Sequence, residues 1–173
     1  ADPGSQVRVS FNGQEASSEA DASGRWQVIL SPMDPGGPYE MLIRSGDQVR
    51  TLQNLMVGDV WICSGQSNME WPVARAANAE HEITTAYWPE IRHFEVPRRV
   101  SPVPRRELEG GEWKRTSPET VGDFSAVGYF FGRELYKHLQ VPIGLINSTW
   151  GGTIVETWTS PESIRSIPEY RPA

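Results

Sequence analysis

From residue 5 to residue 56, apolar and polar positions alternate. Val7, Val9 and Phe11 share one side of the pattern, with Arg8 and Ser10 between them, the period-two signature of a half-buried strand. Asn12-Gly13 follows, a pair that takes the positive φ angles of a tight turn and so predicts a hairpin. Ala22-Ser23-Gly24 then breaks the chain before Trp26, Val28 and Leu30, and Pro35-Gly36-Gly37-Pro38 breaks it before Tyr39, Met41 and Ile43. Ser45-Gly46-Asp47 precedes a last run, Val49 to Val57. Strands at roughly ten-residue spacing joined by turn chemistry predict an antiparallel β-sandwich or jelly-roll element over residues 1–56.

From residue 57 the rhythm changes. Val60, Trp61, Ile62 and Cys63 form a continuous apolar stretch, as a strand buried on both faces would. Ser64-Gly65-Gln66-Ser67 comes next, and a helix is expected to begin at Asn68-Met69-Glu70. Phe124 to Leu139 reads as a helix, because Val127, Phe131, Leu135 and Leu139 recur every four residues and Phe130 widens the stripe. Gly128 and Gly132 would let that helix approach a sheet closely. Val141-Pro142 opens another strand through Ile146, which leads into Asn147-Ser148-Thr149-Trp150-Gly151-Gly152, with a short helix expected near Thr153. Strand, glycine-containing loop and helix thus occur twice, with a helix before the second strand as a crossover requires. The pattern predicts an α/β region over 57–173, built on a parallel sheet whose strand ends gather their loops into one crevice. Between the two blocks, 74–122 is weakly patterned, with a short strand expected over Ile91 to Val96.

Composition bounds the function. Seven Trp, five Phe and five Tyr supply a core, and 16 glycines with 14 prolines favour short strands and turns over a helical bundle. The formal charge of −6 disfavours a nucleic-acid partner. The basic cluster Arg98-Arg99 to Arg105-Arg106 is interleaved with prolines and reads as a solvated loop. No His/Cys pairs stand at metal-ligand spacing, so no metal is expected. No apolar run reaches the roughly 18 residues of a membrane span. Cys63 is the single cysteine, which rules out an intrachain disulfide. There is no start methionine or leader, and both ends read as cut.

Ser67 is the candidate nucleophile. A serine hydroxyl is inert without a base beside it and donors for the oxyanion. A sharp turn after a buried strand would lift Ser67 into the crevice, Gly65 would relieve crowding in that turn, and the following helix would aim N–H groups at developing charge. Gly151-Gly152 offers backbone that a substrate can approach closely. Spacing alone leaves a helix-capping serine as the alternative, and the segment is not a Gly-x-Ser-x-Gly elbow, since Met69 stands at the last glycine position.

The block Gly58-Asp59-Val60-Trp61-Ile62-Cys63-Ser64-Gly65-Gln66-Ser67-Asn68-Met69-Glu70-Trp71-Pro72-Val73 closely resembles the nucleophile block of sialate O-acetylesterase-like proteins, within the SGNH (GDSL-like) hydrolases that also include acetylxylan esterases. Phe124 to Leu135 resembles the helix of the same family, Val141 to Thr153 its glycine block, and Val7 to Phe11 part of the associated β-rich domain. The resemblance implies an SGNH-hydrolase-like parallel sheet with helices, incomplete here, and a serine esterase that removes O-acetyl groups from sugars through an acetyl-enzyme on Ser67. It implies oxyanion donors at the N–H groups of Ser67 and of Gly152 or Gly151, with Gly152 preferred. Gln66, Asn68 and Trp150 are carried as substrate-binding candidates. It implies an O-acetylated carbohydrate as partner, no cofactor, and a secreted or periplasmic location.

The family's third block, with a Gln/Asn oxyanion side chain, and its Asp-x-x-His block are not found. His81, His93 and His138 read as surface or structural residues, so no base is assigned and the catalytic set is expected to be incomplete. Glu70 and Glu156 are sugar-contact candidates or helix-surface residues. Trp71, Trp150 and Trp158 form either a stacking wall or ordinary packing. The competing readings are a non-catalytic carbohydrate-binding or structural β-domain, and another SGNH ester hydrolase such as a lipase or thioesterase.

Overall fold

A computed structural model of the chain describes residues 1–170; residues 171–173, the end of the predicted second region, lie outside it. The fold is mixed α/β with two four-stranded sheets, and the chain divides into two compact units.

The first unit comprises Ala1–Asp59 with Leu139–Ile143. Its antiparallel sheet has the order β2-β1-β3-β4, with β1 at Gln6–Phe11, β2 at Gln14–Glu19, β3 at Gly36–Ser45 and β4 at Gln48–Val57. Val7, Val9 and Phe11 are buried as their alternation predicts, and Phe11 meets Tyr39 edge-on at 5.6 Å between ring centres. Asn12 and Gly13 both take positive φ, 45° and 77°, which closes the predicted hairpin onto Gln14. That strand, Gln-Glu-Ala-Ser-Ser-Glu, carries no apolar alternation because it lies at the sheet edge, where polar residues are tolerated. The strand predicted around Trp26, Val28 and Leu30 forms no ladder. The Gln14 side chain instead satisfies the backbone of Ser31, accepting its N–H at 2.7 Å and donating to its carbonyl at 3.2 Å.

The second unit comprises Val60–His138 and Gly144–Ala173. Its sheet has the order β5-β8-β6-β7, with β5 at Asp59–Gly65, β6 at Trp88–Glu95, β7 at Trp113–Thr116 and β8 at Ile143–Thr149. The helices are α1 (Ser67–Glu70), α2 (Ala79–Thr84), α3 (Ala126–Leu139) and α4 (Pro161–Ser166), with a 3-10 turn at Val155–Trp158 in place of the helix expected near Thr153. The weakly patterned stretch 74–122 therefore holds α2, β6 and β7.

Two expectations fail here for reasons of position. β5 is not buried on both faces: Val60 is 61% exposed and Ile62 74%, and only Cys63 is fully covered. The strand lies at the end of the sheet order and has a described neighbour on one side only. On α3 the predicted Val127, Phe131 and Leu139 stripe is largely exposed, while Ala126, Gly128, Tyr129 and Gly132 are buried. The two glycines win because they admit the sheet to contact. A Cβ on Gly132 would sit 2.7 Å from Leu145 Cδ1, and one on Gly128 would sit 3.2 Å from Cys63 Sγ. Trp61 covers part of the exposed stripe, edge-on to Phe131 at 5.2 Å.

α3 is anchored at both ends. Ala126 donates to the Trp71 carbonyl at 2.8 Å, and Val73 to that of Phe124 at 3.0 Å, so the chain after α1 is stitched to the start of α3. Further along, Arg133 pairs with Glu82 of α2 and lies over Phe130 at 5.0 Å, while the Tyr136 hydroxyl donates to Glu90 at 2.8 Å. Among the described residues, no helix is long and apolar enough to cross a membrane.

Candidate active site

The turn after β5 sets the position of Ser67. Gly65 has φ 149°, and a Cβ there would stand 2.9 Å from Met69 Cγ, so the sharp exit of the strand requires glycine. α1 then runs for one turn of four residues, with Gln66 as its cap. That is shorter than the helix expected from the sequence, so the donors at Ser67 are individual N–H groups and the macrodipole adds little. Ser67 is exposed.

The Gln66 side chain occupies this turn. Its Oε1 accepts the Ser67 backbone N–H at 3.0 Å and the Ser67 hydroxyl at 2.7 Å. One N–H proposed from sequence for the oxyanion is thus engaged by a neutral amide oxygen. Among the described residues the hydroxyl's partner is this amide, not an imidazole.

The glycine loop lies against the same turn. Trp150 N–H donates to the Gly65 carbonyl at 3.1 Å, which joins the ends of β8 and β5. A Cβ on Gly151 would come 3.6 Å from Ser67 Oγ, so the loop backbone passes directly beside the hydroxyl. The Gly151 N–H donates to Glu70 Oε2, and the other oxygen of that carboxylate pairs with Arg98. Gly152, exposed and at φ 77°, follows. Ser67, Gln66, Gly151 and Trp150 are therefore brought together at one turn.

Sequence alone does not single out Arg98 as a site residue, nor the contact that Glu70 makes. Glu70, a sugar-contact or helix-surface candidate by sequence, ties α1 to the glycine loop. The sequence places Arg98 with its neighbours in a solvated loop. Arg99 and Arg105 do pair with exposed Glu109, but Arg98 turns inward to Glu70 and stands 6.0 Å from the Trp150 ring centre.

The remaining candidates spread outward. Asn68 is exposed on α1. Of the tryptophans, Trp71 donates to the Arg75 carbonyl at 2.9 Å, and Trp158 donates to Thr153 Oγ1 at 2.7 Å. Trp158, with Ile154, Val155, Thr153 and Gln66, lines a cleft of about 340 Å³ beside the turn. Glu156 accepts the Tyr170 hydroxyl. His81 is exposed, and His138 Nδ1 lies 2.8 Å from the Glu134 carbonyl in the last turn of α3. His93 is only 3% exposed and edge-on to Phe124. Burial, reinforced by the nearby Lys114 charge, pulls its pKa down to about 4, so it is neutral. Burial pushes the carboxyl of Glu95 upward, against the two bonds it accepts from Asn147 Nδ2 at 3.0 and 2.8 Å. Among the described residues no group of three or more His, Cys, Asp and Glu side chains is placed to hold a metal ion.

The chain is 37% identical to the sialate O-acetylesterase of Mus musculus over 98% of its own length and 35% of that protein. It is 38% identical to the sialate O-acetylesterase of Homo sapiens over 95% of its length and 35% of that protein. It thus spans about a third of the length of the curated relatives it matches. A crystal structure of a carbohydrate acetylesterase from Xanthomonas citri superimposes with a TM-score of 0.93 at 40% identity, over 99% of this chain and 39% of that one. No family model matches.

Proposed function

We propose, from the chain's membership of the sialate O-acetylesterase-like carbohydrate esterases, that it carries the nucleophile half of a serine esterase acting on O-acetylated sugars. The observation that carries the reading is the meeting of Ser67, at the strained exit of β5, with the glycine loop at the exit of β8. Ser67 Oγ attacks the acetyl carbonyl and gives up its proton to a base, and the sugar hydroxyl leaves with a proton as the acetyl-enzyme forms. Water then attacks the acetyl carbonyl, releasing acetate and restoring Ser67. The Ser67 N–H binds the oxyanion once the Gln66 amide swings away. Gly152 N–H is the second donor, because the Gly151 N–H is engaged by Glu70.

The base is assigned to a segment outside these 173 residues. In support, the Ser67 hydroxyl bonds to Gln66, His93 is buried, and the matched relatives are about three times as long. A parallel SGNH-type sheet is supported by contacts at both ends of β5 and β8: Asp59 N–H donates to the Pro142 carbonyl at 3.0 Å where they start, and Trp150 N–H to that of Gly65 where they end. We assign residues 1–56 to a separate sandwich-like or jelly-roll-like β element and 57–173 to the esterase domain. The extracellular or periplasmic placement rests on the family and the sugar substrate.

The test is acetate release from an O-acetylated sugar by this chain and by the longest natural polypeptide that contains it, each beside Ser67→Ala. An active long form, a dead variant and a feeble short chain are expected. Full activity in Ser67→Ala would make Ser67 a turn residue and end the proposal.

A further inference from the structure

Glu70 makes a contact whose sequence separation is large and whose neighbours are all near Ser67. Its two carboxylate oxygens serve different partners: Oε2 takes the Gly151 N–H, 81 residues away, and Oε1 takes the Arg98 guanidinium, 28 residues away. A side chain at Gly151 would displace the carboxylate, since a Cβ would lie 2.2 Å from Glu70 Oε2. Arg98 in turn lies 6.0 Å from the ring centre of Trp150, the residue that precedes Gly151. One carboxylate therefore connects α1, the glycine loop and the chain leaving β6, around a backbone that passes the nucleophile.

We propose that Glu70 is a positioning residue for this reaction, and that Arg98 makes it usable; the inference rests on Ser67 being the nucleophile. Glu70 fixes the Gly151 peptide and so sets the direction of the next N–H, that of Gly152. A hydrogen bond to a charged acceptor is stronger than one to a neutral group, which suits it to hold a mobile glycine pair. A carboxylate this close to the nucleophile would also oppose a developing oxyanion, because like charges repel. Arg98 cancels that charge. Its side chain is 49% exposed and Glu70's 30%, too open for the pair to serve mainly as a stability element. Positioning with charge neutralised explains why an ion pair stands here.

The experiment measures kcat and KM for acetate release, and the rate at which a fluorophosphonate labels Ser67, in the longest natural polypeptide containing these residues. The variants are Ser67→Ala, Glu70→Ala, Glu70→Gln, Arg98→Met and the double Glu70→Gln/Arg98→Met. Glu70→Ala is expected to lower kcat about 100-fold, the range seen when an oxyanion donor is lost, with KM nearly unchanged. Glu70→Gln keeps an oxygen for the Gly151 N–H and should recover to within about 10-fold of wild type. Arg98→Met leaves the carboxylate bare and should be worse than Glu70→Gln. The double variant should regain what Arg98→Met loses, because it removes that charge. If Ser67→Ala is dead while Glu70→Ala keeps wild-type kcat, this inference falls and the esterase reading survives. If Glu70→Gln is as poor as Glu70→Ala, or the double variant is worse than Arg98→Met, the pair is structural and the inference falls as well. If Ser67→Ala is active, both readings fall together.

Discussion

Gln66 and Ser67 share one oxygen: Gln66 Oε1 accepts the backbone N–H of Ser67 at 3.0 Å and its hydroxyl at 2.7 Å. The two groups that the proposed chemistry needs free, a hydroxyl able to surrender its proton and an N–H aimed at an oxyanion, are both spent on a neighbouring amide. A neutral hydrogen bond of this kind contributes about 1 kcal/mol net. Shortening the side chain should therefore release Ser67, and Gln66→Ala is expected to label with a fluorophosphonate about 2- to 5-fold faster than wild type. Slower labelling would mean that Gln66 holds Ser67 in its reactive pose.

Gly132 sets the distance between α3 and β8. Its missing side chain lets Leu145, which is fully buried, lie against the helix, and a Cβ would come within 2.7 Å of one methyl and 3.0 Å of the other. Alanine normally favours a helix by roughly 1 kcal/mol over glycine. Overpacking a tight contact costs about 1–3 kcal/mol, and here it should win. Gly132→Ala is expected to lower the thermal midpoint, and Gly132→Ala with Leu145→Val to recover part of the loss. A midpoint raised by Gly132→Ala alone would refute the close-packing account.

What was legible in the sequence was local. The β1 alternation and the Asn12-Gly13 turn each depend on neighbours in the chain, and the structure reproduces both. The extent of α3 was also legible, but not its buried face. Gly128 and Gly132 carry no side chain and so add nothing to an apolar stripe, yet they make the contact. β5 reads as fully buried because its composition is apolar, while its exposure follows from its place in the strand order, which lies outside the segment itself. Ser67 and the glycine loop stood out through glycine chemistry and resemblance. The pairing of Glu70 with Arg98 did not, because nothing along the chain announces a contact across 28 residues.

His93 gives stability a pH dependence of definite sign. Its folded pKa lies near 4, below the usual 6.5, because burial disfavours the imidazolium. Between those values the unfolded chain binds a proton that the folded chain refuses, so stability is full above about pH 6.5 and falls as pH drops toward 4. A shift of that size corresponds to roughly 3 kcal/mol. Glu95, whose pKa is raised, acts in the opposite sense, losing stability as pH rises through its folded value. Comparison with a His93 variant isolates the histidine. His93→Gln should show a smaller drop in denaturation midpoint from pH 7.5 to pH 5 than wild type. Equal drops would show that His93 is protonated in the fold.

The outer side of β5 predicts behaviour in solution. Ile62 is 74% exposed and Val60 61%, on a strand with a described neighbour on one side only. An apolar strand with a free edge is a template for pairing with another chain, and natural edges are blunted by lysine or proline. β5 carries neither. The 173-residue chain is therefore expected to self-associate as its concentration rises, with Ile62 at the contact. Replacing so exposed a side chain should change folding stability by no more than about 0.5 kcal/mol. Ile62→Lys should shift the sedimentation profile toward monomer while leaving the denaturation midpoint in place. A wild-type chain that stays monomeric at high micromolar concentration, or an Ile62→Lys variant that associates as strongly, would show that this edge is quiet despite its composition.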